Sequence, residues 1–252
     1  MKLADEILIT YNREDTTLPD FLELYKDKTI VIKIDIMLEE SDLELLSELN
    51  IKYHNIKLQL FVFDKNLIYN IKEKNIPFFT TLFVSNWDAF RGLIDLGVSD
   101  IYVVENLAFE LDKCGKIAHE NGVQIRVFPN ICQTAWVDIP DIKKFFIRPD
   151  DVEYYEPYVD VFEFMCDIDK EEPLYKIYKD RKWFGELSEI ITDFNAPFDG
   201  RCVLPLFGKM RVSCGKRCMS GSSCGICDSI QELSKSLGDK DLYISKGNNK
   251  ED

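Results

Sequence analysis

The chain of 252 residues is acidic, because 31 lysines and arginines stand against 45 aspartates and glutamates, for a formal net charge of −14. Phosphate backbones bind to basic surfaces, so this balance gives no strong nucleic-acid signal. Hydrophobic residues make up 46% of the chain, which is enough to bury a full core and excludes a disordered protein. No window has the roughly 18 apolar residues of a membrane span, and no apolar run of signal-peptide type begins the chain. We therefore expect a cytoplasmic protein without a membrane segment.

Short runs rich in β-branched and aromatic residues follow one another at nearly regular intervals. The eight runs are Glu6–Tyr11, Thr29–Asp35, Lys57–Phe63, Phe78–Phe83, Asp100–Glu105, Gln124–Asn130, Lys144–Pro149 and Val159–Met165. Several are continuously apolar, which is typical of parallel strands covered on both faces.

The segments between these runs have helical spacing. Ser41 with Glu44 forms a capping-box pattern, and an apolar stripe over Trp87–Ile94 stops at Gly97. A long amphipathic stretch, Leu174–Phe194, follows the last run. The alternation predicts right-handed βαβ units and an α/β fold, a (β/α)8 TIM-like barrel with a C-terminal cysteine-rich metal-binding segment. An open, doubly wound sheet is the alternative.

Composition divides the chain into three parts. Residues 1–196 are predicted to form the barrel, residues 197–237 a cysteine-rich metal-binding segment, and residues 238–252 a polar tail. The boundary lies in the Asn195–Gly200 stretch, which has the composition of a linker.

Cysteines cluster in the second part, with the spacing C-x3-C-x5-C-x2-C between residues 214 and 227. In a reducing compartment such clustering indicates metal ligation, and neighbouring basic residues would lower the thiol pKa values. Four thiolates suit a [4Fe–4S] cluster, which we prefer slightly, or a closed zinc site. The predicted ligands are Cys202, Cys214, Cys218, Cys224 and Cys227.

Side chains that follow the strands are expected at the carboxyl-end face of the barrel, where such folds place their sites. Glu105 is a candidate general base, and Arg148 a candidate clamp for a carboxylate or phosphate. Asn130, Gln133 and Asp35 are candidates for binding a small polar substrate, although Asp35 also suits a helix cap.

The chain has only two histidines, His54 and His119, and neither follows a predicted strand. A Ser-His-Asp or Cys-His mechanism is therefore not expected, which counts against proteolysis.

Several of these segments are similar to one known family. Leu93–Val103 (LIDLGVSDIYV) resembles the helix-to-strand step L-x-x-L-G-V-D-x-V-x-V of the U32 peptidase-like family. Gln124–Ala135, Ile142–Val152 and Val161–Cys166 resemble three of its later strands. The resemblance covers roughly residues 77–166. Two departures stand out: Met165-Cys166-Asp167 replaces the family's His-Gly, and Asp150 replaces a glutamate.

The resemblance implies a barrel-like α/β fold and an iron–sulfur-dependent enzyme that modifies, by hydroxylation, a small molecule or an RNA base. A lone cysteine before a C-x3-C pair resembles the quinone-hydroxylating branch of the family, which implies Cys202, Cys214 and Cys218 as ligands. The fourth would then be Cys224, Cys227 or Cys166. A zinc-stabilised interaction or scaffold protein is the alternative, and a peptidase is the third hypothesis.

Overall fold

Parallel strands alternate with helices along the part of the chain that the computed structural model describes, residues 6–61, 64–132, 143–183, 185–194, 207–216, 224–230 and 232. The strands are β1 (Glu6–Thr10), β2 (Thr29–Ile34), β3 (Ile56–Leu60), β4 (Phe78–Thr80), β5 (Phe83–Val84), β6 (Asp100–Val103), β7 (Gln124–Val127) and β8 (Val161–Phe162). The helices are α1 (Leu18–Leu24), α2 (Glu40–Tyr53), α3 (Lys65–Glu73), α4 (Trp87–Leu96), α5 (Glu105–Ala108), α6 (Leu111–Glu120), α7 (Val152–Tyr155), α8 (Ile168–Asp180) and α9 (Phe207–Arg211).

The strands form two parallel sheets of four strands each, in the orders β1-β2-β3-β4 and β5-β6-β7-β8. The mixed α/β fold with parallel strands is therefore confirmed. The fourth predicted strand is divided: its first part pairs with β3 through Leu58 and Phe78, and its second part pairs with β6 through Phe83 and Tyr102. One run of sequence thus takes part in both sheets.

Two predicted elements are wrong in their details. The run Lys144–Pro149 forms no named strand, although Phe145 and Ile147 are fully buried, because Pro149 begins a 3-10 turn. The predicted helix Leu174–Phe194 is instead α8, which starts earlier, includes Pro173 and ends where Arg181 takes a left-handed backbone conformation (φ 55°). The apolar pattern continues beyond that point because a separate 3-10 turn, Leu187–Glu189, is buried as well.

The two faces of the sheets have different neighbours. One face carries the aliphatic side chains that pack under the helices, such as Ile30 and Ile32 of β2 and Ile125 of β7. Side chains of both sheets meet on the other face, where Val31, Phe79, Tyr102 and Phe128 form a second cluster. The two sheets therefore enclose a common interior.

A buried ion network connects the sheets across this interior. The Arg126 guanidinium donates from Nε to Asp100 at 2.8 Å and from Nη2 to both Glu6 carboxylate oxygens at 2.7 Å. Lys57 of β3 donates to both oxygens of Asp100 at 3.0 Å. Strands β1, β3, β6 and β7 are thereby held within side-chain reach of one another.

Other sequence predictions have mixed outcomes. In the part of the chain that the structure describes, β1 and β8 are not hydrogen-bonded to each other, so a closed barrel is not confirmed. The proposed domain limits at residues 196 and 237 lie outside the described residues. Among the described helices, none is long and apolar enough to cross a membrane.

Candidate functional site

Two cavities adjoin at the carboxyl ends of β5, β6, β7 and β8. The larger, of about 530 Å³, is called the polar cavity here, and its lining includes Asn130, Asp167, Lys170, Ser188, Glu189 and Thr192. The smaller, of about 330 Å³, is called the apolar cavity, and its lining includes Phe83, Ser85, Glu105, Phe128, Ile131 and Cys132. Met165 lines both cavities. In parallel α/β folds, this face is where ligands bind.

Aromatic rings form the floor of the apolar cavity. The Tyr102 and Phe128 rings are stacked, with centroids 5.3 Å apart and an interplanar angle of 2°. Phe83 meets both rings edge-on, with centroid distances of 5.6 Å to Tyr102 and 5.5 Å to Phe128. Phe83 nevertheless keeps 52% of its surface exposed, and Met165 keeps 47%. A half-exposed apolar surface that is held rigidly from below is suited to contact a ligand.

Among the described residues that line the apolar cavity, Glu105 is the one with a charged side chain. It directly follows the residue that ends the extended backbone of β6, and its own φ is +49°. A non-glycine residue in the left-handed region is strained by roughly 1–3 kcal/mol and persists only where surrounding structure holds it. Glu105 thus lines the cavity on a constrained backbone, while its role as a general base stays a prediction.

Asn130 is committed to the backbone rather than to a ligand. Its Nδ2 donates to the Met165 carbonyl at 3.1 Å, and its Oδ1 accepts from the Met165 N–H at 3.1 Å. Only 1% of Asn130 is exposed. Its amide therefore fixes Met165 at the junction of the two cavities, and the structure suggests a positioning role for this predicted substrate-binding residue.

The polar cavity lies between the segment after β8 and the 3-10 turn at residues 187–189. Its described charges are Asp167 and Lys170, which form an exposed ion pair at 3.1 Å, and Glu189. Thr192 connects to the end of β7 through its backbone, which donates to the Asn130 carbonyl at 2.7 Å. Sequence reasoning did not find Ser188, Glu189 and Thr192, because it placed them on a continuous helix.

Arg148 and Glu105 do not line a common cavity among the described residues. Arg148 is 5% exposed and forms a two-bond ion pair with Asp151, from Nε at 2.7 Å and from Nη2 at 2.9 Å. It is not among the described lining residues of either cavity. This geometry favours a structural ion pair, and the role of Arg148 as a substrate clamp stays a prediction.

The other predicted binding residues are Asp35 and Gln133. Asp35 is exposed in the segment that follows β2, and it is absent from the described linings of the two cavities. Gln133 lies outside the described residues. The histidines are placed elsewhere: His54 ends α2, and His119 contacts Asp160 at 2.9 Å, just before β8 begins.

A third cavity, of about 100 Å³, occupies the interior on the other side of Tyr102 and is called the interior cavity. Its polar lining residues are Glu6, Gln59, Tyr102, Arg126, Glu163 and Glu171. The Tyr102 hydroxyl donates to Glu163 at 2.7 Å, and burial together with the Glu163 charge raises the pKa of Tyr102 far above its ordinary value. Tyr102 therefore stays a neutral donor between the aromatic floor and this cavity.

Three of the five predicted metal ligands, Cys214, Cys224 and Cys227, lie within the described residues. Cys202 and Cys218 lie outside the described residues, while Cys214 and Cys227 are partly buried against the main core and Cys224 is exposed. Among the described residues, no group of three or more His, Cys, Asp or Glu side chains could hold a metal ion. The metal centre, which includes Cys202 and Cys218, therefore stays a prediction.

The segment that carries Cys214 is fastened to the carboxyl-end face. The Gly215 N–H donates to the Phe109 carbonyl at 3.0 Å, and Lys216 donates to the Asn106 side chain at 3.0 Å. Cys114 differs from the cysteines of this segment, because it is fully buried on α6 and burial raises its pKa to about 12. Its thiol is accordingly a packing group.

Comparisons with known proteins assign no family to this chain. No family model matches it, and no curated protein matches it. Among solved structures, the chain is similar to a 4-hydroxy-2-oxoglutarate aldolase/2-deydro-3-deoxyphosphogluconate aldolase from TTHB1. It is 12% identical, with a TM-score of 0.33, and the match covers 70% of this chain and 92% of that chain. That similarity assigns neither an activity nor a substrate to this chain.

The predicted function requires a correction. The sequence predicted a U32 peptidase-like, iron–sulfur-dependent modifying enzyme, with a zinc-stabilised scaffold and a peptidase as the other hypotheses. The structure found by comparison is described as an aldolase, and not as a U32 peptidase-like protein or an iron–sulfur hydroxylase. The prediction is wrong in that form, because it depended on short strand-like motifs that many parallel α/β folds share.

Proposed function

We propose that the chain binds a small organic molecule with an apolar ring and a cationic group at its carboxyl-end face. The observation that carries this proposal is the apolar cavity, which is lined by the half-exposed Phe83 and Met165 and by the acidic residue Glu105. An apolar floor with a single described charge is the usual composition of a small-molecule site.

The sign of the ligand charge follows from the described charges around the two cavities. Among the described lining residues, Glu105, Asp167 and Glu189 are acidic. The basic residue among them is Lys170, and it forms an ion pair with Asp167. A carboxylate or phosphate ligand would therefore meet net repulsion. A cation over an aromatic face gains about 0.5–2 kcal/mol in addition to its apolar contact.

Binding can be measured calorimetrically with phenethylammonium as the probe. We expect a dissociation constant in the millimolar range, and weaker binding of the matched neutral 2-phenylethanol and the matched anion 3-phenylpropionate. Glu105→Gln removes the charge and should weaken phenethylammonium binding about three- to tenfold, with no change for 2-phenylethanol. Phe83→Ala removes part of the apolar surface and should weaken both about tenfold.

Two variants serve as controls at exposed positions away from the cavities. Glu48→Gln on α2 removes a carboxylate, and Tyr69→Ala on α3 removes a ring that is 61% exposed. Neither should change the affinity. The proposal is wrong if 3-phenylpropionate binds as tightly as phenethylammonium, or if Phe83→Ala and Tyr69→Ala behave alike.

We infer that the two sheets belong to one (β/α)8-type barrel that surrounds the interior cavity. The inference is supported by the shared run of β4 and β5, and by the Ser99 N–H, which donates to the Phe78 carbonyl at 2.7 Å between the two sheets. The contact of Arg126 with Glu6, from β7 to β1, adds further support. Hydrogen exchange checks this inference: the β1 amides should exchange as slowly as those of β2 if β1 is covered on both edges.

We also propose a thiolate-ligated metal centre in the cysteine-rich segment, a [4Fe–4S] cluster in preference to zinc. Support comes from the C-x3-C-x5-C-x2-C spacing and from the packing of Cys214 and Cys227 against the same core. Metal and sulfide analysis of anaerobically purified protein distinguishes the two. Cys214→Ser should release the metal, whereas Cys114→Ser should not; protein free of bound metal from the outset would contradict the proposal.

A further inference from the structure

The polar cavity has room for a second part of the ligand that is proposed for the apolar cavity. It measures about 530 Å³, whereas the apolar cavity measures about 330 Å³. Met165 lines both, so a molecule that contacts Met165 from the apolar cavity is within reach of the polar one. Ligand cavities measure about 300–1,000 Å³, and the polar cavity is therefore large enough to hold a substantial group.

The wall of the polar cavity that carries Thr192 is anchored to the end of β7. Thr192 and Ile131 form a parallel β-bridge. In it, the Thr192 N–H donates to the Asn130 carbonyl at 2.7 Å, and the Thr192 carbonyl accepts from the Cys132 N–H at 3.0 Å. The two residues that precede Thr192 are buried isoleucines. This wall is thus ordered before any ligand binds, which lowers the entropic cost of binding.

The facing wall is the segment that follows β8. Asn130 holds the Met165 backbone through two hydrogen bonds of 3.1 Å, and Leu174 of α8 is buried behind it. Both walls are therefore tied to the core, and the cavity between them has a defined shape.

Three side chains of the polar cavity have accessible hydrogen-bonding groups without a protein partner. Ser188, Glu189 and Thr192 are exposed, and within the described part of the chain none of their side chains forms a hydrogen bond or an ion pair. The carboxylate of Glu189 accepts hydrogen bonds, and the two hydroxyls both donate and accept. A ligand can reach these groups without displacing a protein partner.

The described charges of the polar cavity disfavour an anionic group. Its lining has Asp167 and Glu189 against Lys170, which is paired with Asp167 at 3.1 Å. A phosphate or carboxylate would therefore meet a net negative lining. An ammonium group can only donate, so it would leave the hydrogens of the Ser188 and Thr192 hydroxyls without acceptors. A neutral group with several hydroxyls both donates and accepts, and it matches all three accessible side chains.

We propose that the ligand of this face carries a neutral, hydroxylated group, a vicinal diol or a sugar, which extends from the apolar cavity past Met165 into the polar cavity. The ligand hydroxyls donate to the Glu189 carboxylate and accept from the hydroxyls of Ser188 and Thr192. This inference rests on the proposed function, because it assigns the second half of the same ligand. The substrate class becomes a ring-containing cation with a sugar-like substituent.

Calorimetry with three phenethylammonium derivatives tests the chemistry of the added group, and all three keep the ammonium charge. N-(2,3-dihydroxypropyl)phenethylammonium carries the diol, N-propylphenethylammonium has the same chain length without hydroxyls, and N-(2-carboxyethyl)phenethylammonium ends in a carboxylate. We expect the diol compound to bind at least threefold more tightly than the propyl compound, since one hydrogen bond contributes about a twofold to tenfold gain. A smaller ratio overturns the proposal. Tightest binding of the carboxylate overturns it too, since it would show an anion site at Lys170.

Variants assign the gain to the polar cavity. Thr192→Val keeps the shape of the side chain without its hydroxyl, and Glu189→Gln removes the charge. Each should weaken the diol compound at least threefold and leave the propyl compound unchanged. The matched controls are Thr16→Val before α1 and Glu48→Gln on α2, both at exposed positions, and neither should change either affinity. The proposal is wrong if Thr192→Val and Glu189→Gln leave the advantage of the diol compound intact.

Phenethylammonium separates a failure of this proposal from a failure of the proposed function. If phenethylammonium binds in a Phe83-dependent way but the diol compound has no advantage, only the hydroxylated group is refuted. If phenethylammonium does not bind while the diol compound binds in a Thr192-dependent way, the role of the apolar cavity fails and the polar cavity stands as a diol site. Absence of binding by all of these compounds contradicts both.

Discussion

Arg126→Met tests whether the interior ion network holds the two sheets together. Methionine keeps much of the volume and the apolar contact with Phe79, over whose ring the guanidinium lies at 4.4 Å. It removes the hydrogen bonds to Asp100 and Glu6. Burial disfavours the charge on Arg126, but these two carboxylates outweigh that effect and raise its pKa above the ordinary value. The guanidinium is therefore charged at every pH at which the protein is folded.

The expected loss in the free energy of unfolding follows from the partners that Asp100 and Glu6 keep in the Arg126→Met variant. Asp100, whose side chain is fully buried, keeps Lys57 at 3.0 Å and the Ser99 hydroxyl at 2.6 Å. Among the described residues, Glu6 keeps an ion pair with Lys57, at 4.0 Å, and its side chain is 14% exposed. Removing one partner of a buried ion pair costs about 3–5 kcal/mol, which lowers the melting temperature of a chain of this length by roughly 6–20 °C.

Urea denaturation followed by circular dichroism measures this loss. Arg181→Met is the matched control, because Arg181 pairs with Glu156 at 2.7 Å but is 41% exposed, so its loss should cost less than about 1 kcal/mol. Adding Glu6→Gln to Arg126→Met should recover about 1–2 kcal/mol, because it removes the uncompensated charge. If Arg126→Met costs no more than Arg181→Met, the network does not hold the sheets together and the reasoning is refuted.

Three further predictions concern local packing and pH. Gly115→Ala should lower the free energy of unfolding by about 1–3 kcal/mol, since a Cβ there would lie 2.6 Å from the Tyr158 carbonyl oxygen. Gly92→Ala, also inside a helix but with no atom within 4 Å, should raise it by about 0.5–1 kcal/mol in the same urea titration; equal effects would contradict the geometry. The Arg13 hydrogen bond lowers the pKa of Asp42, so the stability it supplies is present above the ordinary carboxyl pKa of 3.8 and is lost as pH falls below that value. Asp42→Asn should therefore flatten the acid side of the stability profile, and an unchanged acid limb would contradict this assignment.

The regular parts of the fold were predictable because local patterns determine them. Strands β1, β2 and β7 begin at the predicted residues, since continuous β-branched runs suit strands that are covered by helices. The end of α4 was equally clear, because Gly97 adopts the left-handed conformation (φ 76°) that ends a helix there. The Ser41–Glu44 capping box was nearly right: α2 starts at Glu40, and Asp42 accepts the Glu39 N–H at 2.7 Å instead.

The irregular parts were not predictable, because burial alone does not specify hydrogen-bond partners. Phe145 and Ile147 are as apolar and as buried as strand residues, yet the Ile147 N–H reaches Pro129 without a continuing ladder. The division of the fourth strand depends on which neighbour each half meets, β3 or β6. Such pairing is a relation between distant segments, so no local window of sequence contains it.

The candidate site shows the same limit. The sequence by itself determined that strands alternate with helices, that strand ends carry polar residues, and that Glu105 follows a strand. Only the tertiary structure decided which of these side chains face a cavity, because that depends on sheet curvature and on competing partners. Arg148 pairs with Asp151, and the Asn130 side chain hydrogen-bonds to the Met165 backbone. The sequence determines the chemistry of each side chain. Whether that side chain can bind a ligand depends on the partners that lie next to it in the folded chain, and only the tertiary structure shows them.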